Sequence, residues 1–350
     1  MQMHPTGPGP LVLEASLHET IWGGRNLERL AGKPLPNGAM IGESWETEVS
    51  CVVREGPHTG TTLGELVRQF GVRLLGTRTR EIYGDRFPLL TKFLDAHEWL
   101  SVQVHPDDTY ARTHEGGKLG KTEAWYILHA EPGARLAYGV TRPVDVDEVR
   151  QAVIENRLEE LLNTFEARTG DVVFVPAGTI HAIGSGIALY EVQEYSDVTY
   201  RLYDYGRLQA NGKPRDLHIQ RALDVMRRVP PDQPRATTLA APDLNGGGRR
   251  TVLVACPYFI EEEWQFSGNV RSATHESSCE ILTLLSDGCT LHTDHGDVAL
   301  TKGNTVVLPA ALGHYELAGQ DVRLLRSRVP LASEPLVREW EALQVSRVDE

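Results

Sequence analysis

Short apolar runs broken by turns dominate this chain, and helical spacing is confined to a few stretches. Leu89, Leu90, Phe93 and Leu94 are followed by Trp99, Leu100, Val102 and Val104, which predicts strands on both sides of a turn at Asp95-Ala96-His97. EAWYIL (123–128) predicts another strand. Three- and four-residue apolar spacing predicts helices over about 62–75, 143–165 and 217–226. In the second of these Val146, Val149, Val153, Ile154, Leu158, Leu161 and Leu162 form one stripe, with Pro143 near the start. PPDQPRATTLAAPDLNGGGRR (230–250) is rich in Pro, Gly and small residues and predicts a linker, after which short strands recur to about Arg328. The expected class is mainly β with a few appended helices.

An internal similarity refines this picture. GDVVFVPAGTIHAI (170–183) and GNTVVLPAALGHYEL (303–317) share a frame in which Gly170, Pro176 and His181 correspond to Gly303, Pro309 and His314. A strand is entered by a Gly turn, left through a Pro and followed by a His. The frame resembles the second conserved motif of the cupins, and two copies imply two cupin-like, jelly-roll β-barrels. The expected domains are 1–235, carrying the helices and the chemistry, and 236–350, a non-catalytic barrel in which His314 has no evident partner ligands.

The chain has 350 residues and a formal net charge of −13, which argues against nucleic acid and anionic membrane surfaces as partners but leaves room for a local cationic pocket. The cysteines, Cys51, Cys256, Cys279 and Cys289, form no CxxC pair, so a thiolate zinc site is not expected. The opening MQMHPTGPGP reads as an extended, Pro-rich lead-in without the pattern of a signal peptide, and no run reaches the roughly 18 apolar residues of a membrane helix. A cytoplasmic protein with reduced cysteines is expected. Oligomeric state is not legible.

Candidate chemistry begins at SVQVH (101–105). On a strand Ser101, Gln103 and His105 share one face, and Leu100, Val102 and Val104 the other. In GKTEAWYIL, Lys121, Glu123 and Trp125 share a face, and the PAG turn aims His181 toward the barrel mouth. Gln103, His105, Glu123 and His181 together offer nitrogen and oxygen donors that suit zinc or another divalent first-row ion. With one carboxylate, the site stays electrophilic enough for Lewis-acid work.

QVHP (103–106), KTE (121–123), PAGTIHAIG (176–184) and EVQEYSDVTYRLYDYGR (191–207) resemble the signature segments of type I mannose-6-phosphate isomerases, closest to their short bacterial form. WGG (22–24) and GESWE (42–46) resemble that form's N-terminal part. The resemblance runs from about Ile21 to Met226 and is weak in the second barrel. It implies zinc on those four ligands, a catalytic role for Arg201, and an active-site place for Glu191 and Lys121. Ser101 and Lys121 are candidates for phosphate or hydroxyl contacts. The implied reaction moves a proton between C1 and C2 of a sugar phosphate through an enediol, with Glu191 or a water on the ion as candidate base. Longer members carry Asn-His-Lys-Pro-Glu where this chain has Leu-Gly-Lys-Thr-Glu. Two competing readings are an oxygen-activating metal cupin, which iron content and oxygen uptake would reveal, and a sugar-phosphate-binding cupin without turnover.

Overall fold

Strands carry the architecture of the computed structural model, which describes residues 7–209 and 211–345. Residues 1–6 of the Pro-rich lead-in, and 346–350 at the far end of the second expected domain, lie outside the described residues. Three sheets are present. The six-stranded one runs Ser16–Gly24, Ile41–Trp45, Leu89–Ala96, Ile187–Glu194, Glu123–Ala130, Val172–Val175. The five-stranded one runs Tyr200–Tyr203, Val102–Val104, His181–Ile183, Arg135–Val140, Leu162–Glu166. Both are antiparallel throughout. A nine-stranded sheet takes all strands from Leu239–Ala240 to His314–Arg328 and is joined by Leu11–Leu13, which pairs with Thr305–Leu308. The mainly β reading therefore holds.

The six-stranded sheet is covered on both faces, which explains its apolar strands. Along Leu89–Ala96, Leu89 and Phe93 join a cluster with Leu253, Ile260 and Ile281 of the nine-stranded sheet. Leu94 and Ala96 join another with Trp125, Leu189 and Ile183, between the six- and five-stranded sheets. The outer face of the five-stranded sheet (Val102, Val104, Ala182, Leu202) packs under the helices Val146–Ile154 and Ile219–Val225. Each Leu or Phe so buried stabilises the fold by roughly 1.5–3 kcal/mol. Among the described residues no helix is long and apolar enough to cross a membrane.

Two helix expectations need correction. The 62–75 stretch is two helices, Leu63–Phe70 and Val72–Leu75, because Gly71 takes φ 51 between them. The first starts with a capping box of Thr62 and Glu65. The 143–165 stretch is helical only over Val146–Ile154, after an Asp145 cap on Glu148 N at 2.7 Å. Asn156 then turns left-handed (φ 56), Leu158–Leu161 is a 3-10 turn, and Leu162–Glu166 pairs with Arg135–Val140. Leu158, Leu161 and Leu162 stay in the same apolar cluster as Val149 and Val153, but Ile154 is exposed and falls outside the stripe, and edge-strand pairing decides the backbone of the last part. Asp95 and Ala96 end a strand, and the expected turn follows them.

The face of the nine-stranded sheet turned toward the six-stranded one carries an unusual group. Glu261 is buried beside Tyr190, Val192 and Leu253. Burial pushes its carboxyl up to about 8, the Ser327 hydroxyl offsetting this in part and Glu262 adding to it. In the unfolded chain it ionises near 4.3. The folded protein is thus stabilised relative to higher pH while the group stays protonated, and that stability is lost as pH rises toward 8. At 1.36 kcal/mol per pKa unit the loss is of order 3–5 kcal/mol. Glu261→Gln is expected to melt several degrees above the parent at pH 8–9, with the gap closing toward pH 5. Melting curves across that range check it, and a gap independent of pH would refute it.

Candidate metal centre

Cross-strand register brings the candidate residues to one level. In the five-stranded sheet Gln103 lies directly opposite His181 on one side and Arg201 on the other, so all three side chains share a face. In the six-stranded sheet Lys92 lies opposite Glu191, and Glu191 opposite Trp125. Glu123, two residues before Trp125, is on the same face. These rows look at each other across the space between the sheets. Val102 and Val104 point away, into the helix-covered cluster. Gly178 shapes the turn that delivers His181: its φ is 86, and a Cβ would sit 2.8 Å from the Val225 carbonyl oxygen. Its N–H donates to the His105 carbonyl at 2.8 Å, linking the two histidine segments.

His105, Glu123 and His181 each place a donor atom within 4.8 Å of the others, all buried. His181 Nε2 is 3.3 Å from Glu123 Oε1, and His105 Nε2 is 3.5 Å from Glu123 Oε2. Gln103 Nε2 is 3.2 Å from His181 Nε2. Both histidine tautomers are set by the backbone: Nδ1 of His105 donates to Val198 O and Nδ1 of His181 to Thr179 O, each at 2.9 Å. Their Nε2 lone pairs therefore aim at Glu123. Burial, with Lys121 nearby, holds His105 well below the usual imidazole range, and burial lowers His181 to about 4. Both are neutral at pH 7 and free to act as donors. Glu123 is fully buried, and its Oε1 has no hydrogen-bond partner among the described residues. Lys121 partners only Oε2, so the carboxylate still offers Oε1, without a hydrogen-bond partner among the described residues, beside two imidazole lone pairs, and this donor set fits a divalent ion.

Lys121 makes a short ion pair with Glu123 and lies 3.6 Å from Glu191 Oε1. Burial opposes its charge, yet Glu123 and Glu191 hold its pKa above the ordinary lysine value. Glu191 accepts from Trp125 Nε1 at 3.1 Å. Burial and the Glu123 charge raise its pKa, against the pull of Lys121 and Lys92. A cleft of about 320 Å³, enough for a small polar ligand, opens over this face. Ser101, Gln103, Lys121, Glu191 and Arg201 all line it. Arg201 donates from Nε to Ser101 Oγ at 3.1 Å and from Nη1 to Asp216 O at 3.0 Å, and makes no ion pair among the described residues. Burial and the charge of Arg215 lower its pKa.

The cleft also holds residues that the sequence reading missed. Lys92 sits 3.3 Å from Glu43 Oε2, 3.6 Å from Glu191 Oε1 and 4.5 Å above the Trp45 ring. The signal for it was available: a lysine inside LLTKFLDA has no solvated face and needs a partner. Arg215 and His218 reach the cleft from an irregular segment, through the His218 N–H bond to Arg201 O at 2.7 Å, and have no such signal.

The repeated frame places a counterpart of Glu123 in the nine-stranded sheet. Glu123 pairs with Val175, just before Pro176, and Glu280 pairs with Leu308, just before Pro309. Around Glu280 the chemistry differs. Arg326 donates Nε to Glu280 Oε2 at 2.8 Å, Tyr315 OH donates to the same oxygen at 2.9 Å, and His314 is exposed. By register Arg326 takes the position of Glu191: it lies opposite Leu282, two residues past Glu280, as Glu191 lies opposite Trp125, two residues past Glu123.

Comparison with known proteins gives concordant likenesses. Residues 11–132 match the family model for the catalytic domain of type I phosphomannose isomerase. A mannose-6-phosphate isomerase of Streptococcus mutans is 36% identical over 326 residues, covering 91% of this chain and 98% of that protein. One of Bacillus subtilis is 37% identical over 316 residues, covering 89% and 96%. The crystal structure of the mannose 6-phosphate isomerase from Bacillus subtilis superposes with a TM-score of 0.82 at 33% identity, covering 91% of this chain and 99% of that one.

Proposed function

Because the chain belongs to the type I phosphomannose isomerase family, we propose that it interconverts mannose 6-phosphate and fructose 6-phosphate at a zinc ion held by Gln103, His105, Glu123 and His181. The observation that carries this is the convergence within 4.8 Å of two neutral imidazoles and a carboxylate, one oxygen of which has no hydrogen-bond partner among the described residues, next to a cleft lined by Gln103, Lys121 and Arg201. The donor set also suits other divalent first-row ions. Such an ion, when bound, polarises the sugar oxygens.

The remaining chemistry falls to side chains. Glu191, which lines the cleft and whose pKa burial raises above the usual carboxylate value, takes the proton from C2 of the open-chain aldose and returns it to C1. The hydroxyl proton moves from O2 to O1 as the carbonyl shifts from C1 to C2. Arg201 donates hydrogen bonds to the enediolate oxygen, and being always protonated it stabilises charge rather than relaying the proton. Lys121 holds Glu123 in place and adds positive field, and Ser101, bonded to Arg201 Nε, contacts a hydroxyl or the phosphate. We assign residues 1–235 to the catalytic, helix-bearing cupin-like domain, with Leu11–Leu13 crossing to pair in the other sheet, and 236–350 to a non-catalytic one, a view supported by Arg326 on Glu280.

Incubating zinc-loaded protein with fructose 6-phosphate and identifying products by NMR tests the proposal. Mannose 6-phosphate is expected. Its absence with metal confirmed present would sink the isomerase reading, whether or not the sugar binds.

A further inference from the structure

The segment entering the metal centre is tied down residue by residue. Ser196 Oγ donates to Leu119 O at 2.8 Å, Gly120 N to Asp108 Oδ1 at 2.8 Å, and Lys121 N to Pro106 O at 3.0 Å. Gly120 passes so close to the start of the preceding helix, Asp108–His114, that a Cβ would meet the backbone of its cap residue Asp107 at 2.5 Å. The fourth tie is of another kind. Thr122 N donates to Glu194 Oε2 at 2.9 Å.

Glu194 ends the strand Ile187–Glu194, whose Gln193 lies opposite Glu123. Its own N–H donates to Thr122 O at 3.1 Å, as a continuing ladder requires. The reciprocal bond, from Thr122 N, goes to the Glu194 side chain, while Gln193 Nε2 takes the Glu194 carbonyl at 3.1 Å. The peptide between Lys121 and Glu123 is thus held by a carboxyl that is 1% exposed. Its other oxygen, Oε1, has no hydrogen-bond partner among the described residues. Burial pushes this carboxyl up to about 8, so it is largely neutral at pH 7. An apolar side chain would fill the same space without the cost of an unpartnered polar atom. The hydrogen bond its side chain accepts from Thr122 N is therefore what distinguishes it from such a filler.

We propose that Glu194 is a positioning residue for the metal centre: through the Thr122 N–H it sets the peptide plane that keeps Lys121 and Glu123 on the same side of the strand. This rests on reading Glu123 as a metal ligand. Removing a bond that orients a ligand costs about 10- to 100-fold in metal affinity or turnover.

Glu194→Gln keeps an acceptor oxygen and the neutral state, and Glu194→Met keeps the length but has no oxygen. Turnover and zinc affinity, the latter by competition with a chelating dye, are measured on the full chain alongside a Glu123→Gln control. E194M is expected to lose about ten- to a hundredfold in kcat and in zinc affinity with KM within about twofold, and E194Q to stay within about threefold of the parent. Equal losses in E194M and E194Q, or none in E194M, overturn the inference. If E194M does not fold, Glu194→Asp replaces it: its carboxyl is one methylene too short for Thr122 N, and parent-like turnover and affinity would overturn the inference. Parent-like metal binding and turnover in E123Q would instead remove the ligand assignment on which it depends.

Discussion

Glu123→Gln is expected to lower turnover by about a thousandfold or more, roughly 4 kcal/mol of barrier at 1.36 kcal/mol per tenfold, and to leave the purified protein with little bound metal. The change is isosteric, so the fold should persist. What it removes is the single anionic donor of the cluster. The other three proposed ligands, Gln103, His105 and His181, are neutral, and both imidazoles are buried. A divalent ion there without the carboxylate keeps its whole charge in a medium that stabilises charge poorly. The substitution also frees Lys121 from its ion pair and leaves it with Glu191 at 3.6 Å. Metal analysis and steady-state kinetics, before and after zinc addition, check this. Stoichiometric zinc with near-parent turnover in the variant would show that the ion sits elsewhere.

The residues that the structure brings together were legible because strand alternation has a period of two and needs no long-range information. Gln103 and His105 are two apart, as are Lys121 and Glu123, so a local reading puts each pair on one face. The turn before His181 was legible for the same local reason. What joins these pieces is register: Gln103 opposite His181 and Arg201, Glu191 opposite Lys92. Register depends on which strands meet, and a single sequence does not state it. The helix expected over 143–165 shows the converse. Its apolar stripe packs into one cluster except at Ile154, which is exposed, but pairing of Leu162–Glu166 with Arg135–Val140 overrides helical spacing in its last part. The repeat was visible as a Gly–Pro–His frame. The reason its second copy differs was not, because Arg326 meets Glu280 only when strands 46 positions apart in sequence are laid side by side.

Arg201→Ala is expected to lower kcat about 10²- to 10³-fold, the range for removing a donor aimed at a developing oxyanion, while bound metal stays at the parent level. The cations of the cleft differ in how far they are already neutralised. Lys121 and Lys92 face Glu123, Glu191 and Glu43, and Arg215 is held by Asp204. Among the described residues the Arg201 side chain has a hydroxyl and a backbone carbonyl as its hydrogen-bond partners, and Arg215 crowds it with like charge. New negative charge in the cleft therefore meets its least compensated cation at Arg201. The residue stands opposite Gln103 in the register and is not itself in the metal cluster, so its loss should not release the ion. Arg201→Lys keeps a charge but not the planar fork, and its turnover should fall between parent and alanine variant. The balance of kcat and KM then reports which oxygens it serves. A fall confined to kcat places the guanidinium on the enediolate, and a rise confined to KM places it on the phosphate. Full turnover in R201A with zinc bound would take the residue out of the mechanism altogether.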